Sequence, residues 1–198
     1  MIEHINKIIF LHIPKTGGTS IVNSIVGTSA HEHLDWRELK EKHKEYWDEY
    51  YKFTIVRNPF DWLVSMYHGM YGGDPDTWPA FGDPHRTIAS HMSFPRFIKD
   101  FRQARAPGKP FSQVDIIGPE MDQIIRFENL GNEFDKLRTE GRLVTKQGCL
   151  VRDLSHDNRS PSRKEKSGEY KSYYTDELRE IVERELEKDL KTFGYSYE

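Results

Sequence analysis

The chain opens with a short apolar run, Lys7-Ile-Ile-Phe-Leu-His-Ile13, made mostly of β-forming side chains and stopped by Pro14, which predicts a buried strand. The period then changes. Ile21, Val22, Ile25 and Val26 recur at helical spacing, and Gly27 offers a stop, so a helix is expected over 19–26. The stretch from Trp36 to Tyr51 mixes charges and aromatics around Leu39 and Trp47 and reads as a surface helix. Strand chemistry returns in Tyr51-Lys-Phe-Thr-Ile-Val56. Arg57-Asn-Pro-Phe-Asp61 then turns the chain with Pro59 at a natural first-turn position, and Trp62, Leu63, Met66 and Tyr67 form the apolar stripe of the next helix.

Residues 69–90 are rich in Gly, Pro and Asp yet carry Trp78 and Phe81, the pattern of a long ordered loop. A helix is expected over Phe94–Phe101, a short strand over Ile124–Phe127 and a helix over Leu130–Arg138. The polar, basic stretch Ser155–Lys166 reads as a loop. Thr175 caps a last helix that carries Ile181, Val182, Leu186 and Leu190 along one face. Strands alternating with helices predict an α/β protein with a central, mainly parallel sheet flanked by helices, and such sheets bind ligands beyond the carboxyl ends of their strands. Lys15 and Arg57 both fall at such ends.

The totals narrow the picture. At 198 residues the chain is long enough for one domain with a sizeable core, and one domain spanning 1–198 is expected. With 36% hydrophobic, 31% charged and 13% aromatic residues, the composition is that of a soluble globular protein. A formal net charge of −3 gives no overall attraction for nucleic acid, so any anion site must be local. Cys149 is the only cysteine, which excludes an internal disulfide and a cysteine-built zinc site, and favours a reducing compartment. The first residues run straight into the strand without a leader pattern, and no apolar window is long enough to span a bilayer. A cytoplasmic protein is therefore expected.

The loop Pro14-Lys-Thr-Gly-Gly-Thr-Ser20 links the first strand to the first helix. Glycine amides and the helix N-terminus can face an anion there, Lys15 adds a cation, and Thr16, Thr19 and Ser20 add hydroxyl donors. An ordinary tight turn would also use two glycines; the lysine and the strand-to-helix setting favour phosphate. The pattern G-x-x-x-x-G-K-[ST] of nucleoside triphosphatases does not occur, since here the lysine precedes the glycines. The second strand ends in Arg57 rather than in an acidic residue suited to magnesium, so chemistry without a metal is expected.

Together, HIPKTGGTS and the later FTIVRNPFDWLVSMY resemble the sulfotransferase superfamily, in particular its carbohydrate-sulfotransferase-like branch with an HxPKTGGTS loop. The resemblance implies a P-loop NTPase-like sulfotransferase fold and use of 3'-phosphoadenosine 5'-phosphosulfate, with adenosine 3',5'-bisphosphate as product. It matches Lys15, Thr16, Gly17, Gly18, Thr19 and Ser20 to the loop around the 5'-phosphosulfate, and Arg57 and Ser65 to the pair on the 3'-phosphate. More loosely, Ile125–Leu130 and Tyr173–Tyr195 resemble later parts of the family pattern. The basic loop with Arg159, Arg163 and Lys164 falls where relatives close over the nucleotide, while a solvated charged loop would look the same.

Sulfuryl transfer needs a base for the acceptor hydroxyl and a cation for the bridging oxygen. Lys15 suits the second task. For the base, His31-Glu-His33 enters an extended segment whose alternation puts both histidines on one face. Relatives that sulfate the 2-O position carry a His-x-His pair in a similar place. By that resemblance His33 is the first choice and His31 the second, against the plainer reading of surface histidines. His12 beside the loop suits a structural role, and His68, Glu32 and Asp61 are reserves. Trp62 and Tyr67 fit core packing, whereas Tyr71, Trp78 and Phe81 suit an acceptor cleft. The expected acceptor is a hydroxyl, with a saccharide favoured; the rivals are a P-loop-type kinase and a non-catalytic nucleotide- or glycan-binding protein.

Overall fold

The run stopped by Pro14 forms a strand with all four residues buried, Ile8–Leu11 (β2), in a computed structural model that describes residues 1–27, 32–68, 93–101, 110–143, 154 and 169–198. The expected loops over 69–90 and 155–166 lie outside the described residues. A two-residue strand, Ile2–Glu3 (β1), pairs antiparallel with β2, and β2 pairs parallel with Tyr51–Val56 (β3). Parallel pairing continues to Gln123–Arg126 (β4), giving the order β1-β2-β3-β4. The sheet is thus mainly parallel within an α/β fold, as the alternating pattern predicts. β1 is an addition, because a strand this short leaves no period to read.

Two compact units divide the chain, Met1–Arg57 with Gln113–Asn158 and Asn58–Ser112 with Arg159–Glu198. In the first, alternation sends Ile8 and Phe10 of β2, Phe53 and Ile55 of β3 and Ile125 of β4 to one face of the sheet. There they form a core with Ile21 and Val22 of helix Gly18–Val26 (α1) and with Phe134 and Leu137 of Leu130–Thr139 (α7). On the opposite face Lys52 is buried, and its ammonium donates to the carbonyls of Trp47 (3.0 Å) and Tyr50 (3.1 Å).

The single helix expected over 36–51 is two. Asp35 opens Trp36–Lys42 (α2) with a capping box: its carboxylate accepts from the amides of Arg37 and Glu38, while Glu38 accepts from the amide of Asp35. The helix ends at His43, whose φ of −124° and ψ of 30° are not helical, and Lys44–Trp47 (α3) starts anew. Lys52 ties down the end of α3, where its ammonium takes up the carbonyls of Trp47 and Tyr50. A short helix, Gln113–Ile117 (α6), precedes β4, and Gly118 follows it at φ +64° with the Trp36 indole against its Cα.

In the second unit Asn58 caps Pro59–Met66 (α4), its side-chain oxygen accepting from the amide of Phe60 at 3.1 Å. Phe94–Asp100 (α5) matches the expected helix, and Lys99 pairs with Glu177 at 2.8 Å. Thr175 caps Asp176–Glu185 (α8), as expected, but the final helix breaks at Leu186 (φ −116°) before Glu187–Phe193 (α9). Phe60 meets the rings of Tyr174 and Tyr197 edge-on at 5.3 and 5.0 Å, and Phe94 meets those of Tyr173 and Tyr174. Phe60 and Phe94 of this cluster are buried, as are Trp62, Leu63, Phe97, Ile98, Leu178 and Val182 of the same unit.

Candidate anion site at the strand ends

β2, β3 and β4 run parallel, with Leu11 opposite Thr54 and Val56 opposite Arg126. Their following loops therefore leave the sheet at one edge. After β2 the backbone enters the left-handed region twice, at Lys15 (φ 66°) and at Gly17 (φ 84°). Lys15 is not glycine, so this conformation costs about 1 kcal/mol or more and must be held by its surroundings. One holder is Thr16, fully buried, whose hydroxyl donates to the Ile13 carbonyl at 2.8 Å. The hydroxyl proton of Thr16 is thereby spent inside the loop.

Gly17 begins α1. Its carbonyl accepts from the amides of Ser20 (3.1 Å) and Ile21 (3.4 Å), while a Cβ on it would stand 3.0 Å from Leu130 and Phe127 side-chain atoms. Side chains cap α2, α4 and α8 through Asp35, Asn58 and Thr175. Glycine has none to offer, so the first amides of α1, those of Gly18 and Thr19, present donors suited to an oxyanion. Gly18 is buried because the His12 imidazole lies on it.

Arg57 follows β3 directly and is 5% exposed. Its guanidinium donates to the Lys15 carbonyl at 3.0 Å and stacks on Phe127, with Cζ 4.3 Å from the ring centroid. Gln113, wholly buried, fixes the backbone beneath it: the amide of Arg57 donates to Oε1 (2.9 Å) and its carbonyl accepts from Nε2 (2.8 Å). Loops after all three parallel strands thus meet around one guanidinium. Such a group, held but with five N–H donors, is suited to bind a phosphate in a fixed orientation.

His33 is exposed, and its ring lies 4.7 Å from that of His12 in the same unit. His31, Arg163 and Lys164 lie outside the described residues, as do Arg159, Tyr71, Trp78 and Phe81. Ser65 is buried on α4 of the second unit. Glu32 pairs with Lys42 at 2.6 Å, and chiefly that hydrogen bond holds its carboxyl below the ordinary carboxylate range. Asp61 is buried, and His68 shares a 2.7 Å hydrogen bond with the Tyr173 hydroxyl. Trp62 is fully buried against Phe111, the core role its helical spacing suggests.

Sequence reasoning missed Gln113 and Phe127. Gln113 carries no local signal, since its partner stands 56 positions earlier. Phe127 looks like the end of a strand but begins a 3-10 turn, which frees its ring to support Arg57. A family model described as the sulfotransferase family matches residues 1–196. No curated protein and no solved structure matches the chain.

Proposed function

The chain belongs to the sulfotransferase family, and from that premise we propose that it moves a sulfuryl group from 3'-phosphoadenosine 5'-phosphosulfate to an acceptor hydroxyl, working as one domain across 1–198. The observation that carries the reading is the joining of two strand-end loops through the Arg57 guanidinium and the Lys15 carbonyl. It is supported by donor chemistry: an ammonium, a guanidinium and the first amides of α1, those of Gly18 and Thr19, all suit oxyanions.

In this reading Lys15, Thr16, Gly17, Gly18, Thr19 and Ser20 hold the 5'-phosphosulfate. Thr16 contributes through its backbone, given the use of its hydroxyl. Arg57 and Ser65 are assigned to the 3'-phosphate, and Arg163 and Lys164 to closure over the nucleotide. The acceptor oxygen attacks sulfur in line as the bond from sulfur to the bridging phosphate oxygen breaks. His33, with His31 as second choice, takes the acceptor proton, and Lys15 steadies the charge left on the bridging oxygen. The proposed acceptor is a saccharide hydroxyl and the transfer is metal-independent. Among the described residues no helix is long and apolar enough to cross a membrane.

Calorimetry with adenosine 3',5'-bisphosphate in the absence of magnesium, followed by transfer from labelled donor to a panel of sugars, tests the proposal. Binding and label transfer are expected. Magnesium-dependent ATP binding in place of the bisphosphate, or bisphosphate binding with no transfer to any hydroxyl, would overturn it.

A further inference from the structure

His12 follows the last residue of β2, and alternation places it on the same face as Phe10. The two rings stack with centroids 5.7 Å apart and planes 21° from parallel. The imidazole is 4% exposed and fills the space over Gly18 so closely that a Cβ there would lie 1.9 Å from its Cδ2 and 2.2 Å from its Nε2. It also meets His33, with ring centroids 4.7 Å apart and planes tilted by 49°. Backbone joins the same pair, since His33 Nδ1 stands 3.5 Å from the His12 carbonyl oxygen. One buried ring therefore touches both the first residue of α1 and the exposed histidine.

We propose that His12 is a positioning residue, its imidazole setting where the His33 ring sits relative to the first amides of α1. As a contribution to catalysis this rests on the reading of His33 as base. The chemistry gives the placement its purpose: the proton leaves the acceptor oxygen while that oxygen closes on a sulfur held at the loop, so base and loop must keep a fixed separation. Displacing a reacting group by about 1 Å can cost a hundredfold in rate. A flat ring on a glycine Cα is a stiff spacer because the glycine has no side chain to move and burial holds the imidazole in place. Gly18 is thus glycine for the sake of the ring above it, as well as for its exposed amide.

The test compares His12→Ala and His12→Phe with His33→Ala and the double variant His12→Ala, His33→Ala. Imidazole NMR signals of His33 are read in the first two, with bisphosphate affinity and kcat measured in all. His12→Ala is expected to shift the His33 ring signals, keep bisphosphate affinity within threefold and lower kcat at least tenfold. The double variant should be no slower than His33→Ala alone, because removal of the base leaves nothing to position. Unmoved His33 signals, or rate losses that multiply in the double variant, would overturn the proposal. Should His12→Ala fail to fold, Gly18→Ala presses on the same ring, and its effect on the His33 signals decides. If the unaltered protein transfers no sulfuryl group, the function proposed above falls, while the NMR comparison still decides whether His12 places His33.

Discussion

The Arg57 guanidinium donates to the Lys15 carbonyl at 3.0 Å, so the loops after two neighbouring parallel strands share one hydrogen bond at the edge of the sheet. Arg57→Lys keeps the charge but loses the planar fork and its stacking on Phe127. One charge-assisted hydrogen bond is worth about 1.5–3 kcal/mol. Calorimetry should therefore show bisphosphate affinity falling roughly ten- to a hundredfold. Unchanged affinity would remove Arg57 from the binding site.

Glycines in and near the site should respond in opposite directions. Gly17→Ala places a Cβ at φ 84° and within 3.0 Å of Leu130 and Phe127, and is expected to cost about 1–3 kcal/mol. Gly131 lies early in α7 with nothing within 4 Å of a built Cβ, so Gly131→Ala should add about 0.4–1 kcal/mol. Urea unfolding of both variants measures the contrast. A stabilising Gly17→Ala would mean that the left-handed turn is not required.

Lys52 is an internal tie. Its ammonium serves the carbonyls of Trp47 and Tyr50 and stands 3.3 Å from Asp122, which in turn accepts from the amide of Lys52 at 2.7 Å. Lys52→Met keeps the stem and leaves these acceptors short of a donor, at a cost of about 1–3 kcal/mol. Thermal unfolding should shift down, with α2 and α3 losing amide protection first in hydrogen exchange. Uniform loss of protection across the unit would contradict this.

Alkaline pH should loosen the second unit. Burial, then the charge of Asp61, pushes the Tyr174 hydroxyl well above its ordinary value of 10, and that hydroxyl donates to the Phe60 carbonyl at 2.9 Å. The folded state thus keeps a proton that the unfolded chain releases. The stabilisation is complete below pH 10 and declines as pH rises past it. Tyr174→Phe should flatten this decline in a stability profile taken from neutral to strongly alkaline pH. An unaltered slope would place the sensitivity elsewhere.

Features encoded by near neighbours were legible in the chain. Apolar runs closed by Pro14 and Arg57 marked β2 and β3, and Lys15 and Arg57 stood out because each ends a strand. Pro59, by its first-turn preference, and Thr175, by ordinary capping chemistry, announced helix starts. Features that depend on distant partners were not legible. The end of α3 is fixed by Lys52 reaching back to the carbonyls of Trp47 and Tyr50, and Gly18 is constrained by a histidine ring that spacing alone does not place over it. The role of Phe127 was hidden by where β4 ends, one residue earlier than the apolar pattern suggests.

The paired bonds between Gln113 and the Arg57 backbone have a consequence for how the molecule can vary. The polypeptide departs the first unit immediately after Arg57 and rejoins it at Gln113, so that excursion begins and ends at a single stapled point. Lengthening a chain between fixed ends adds little entropy cost, about 0.6 kcal/mol per doubling. Insertions and rewritten segments between those two points can accumulate while the guanidinium keeps its footing.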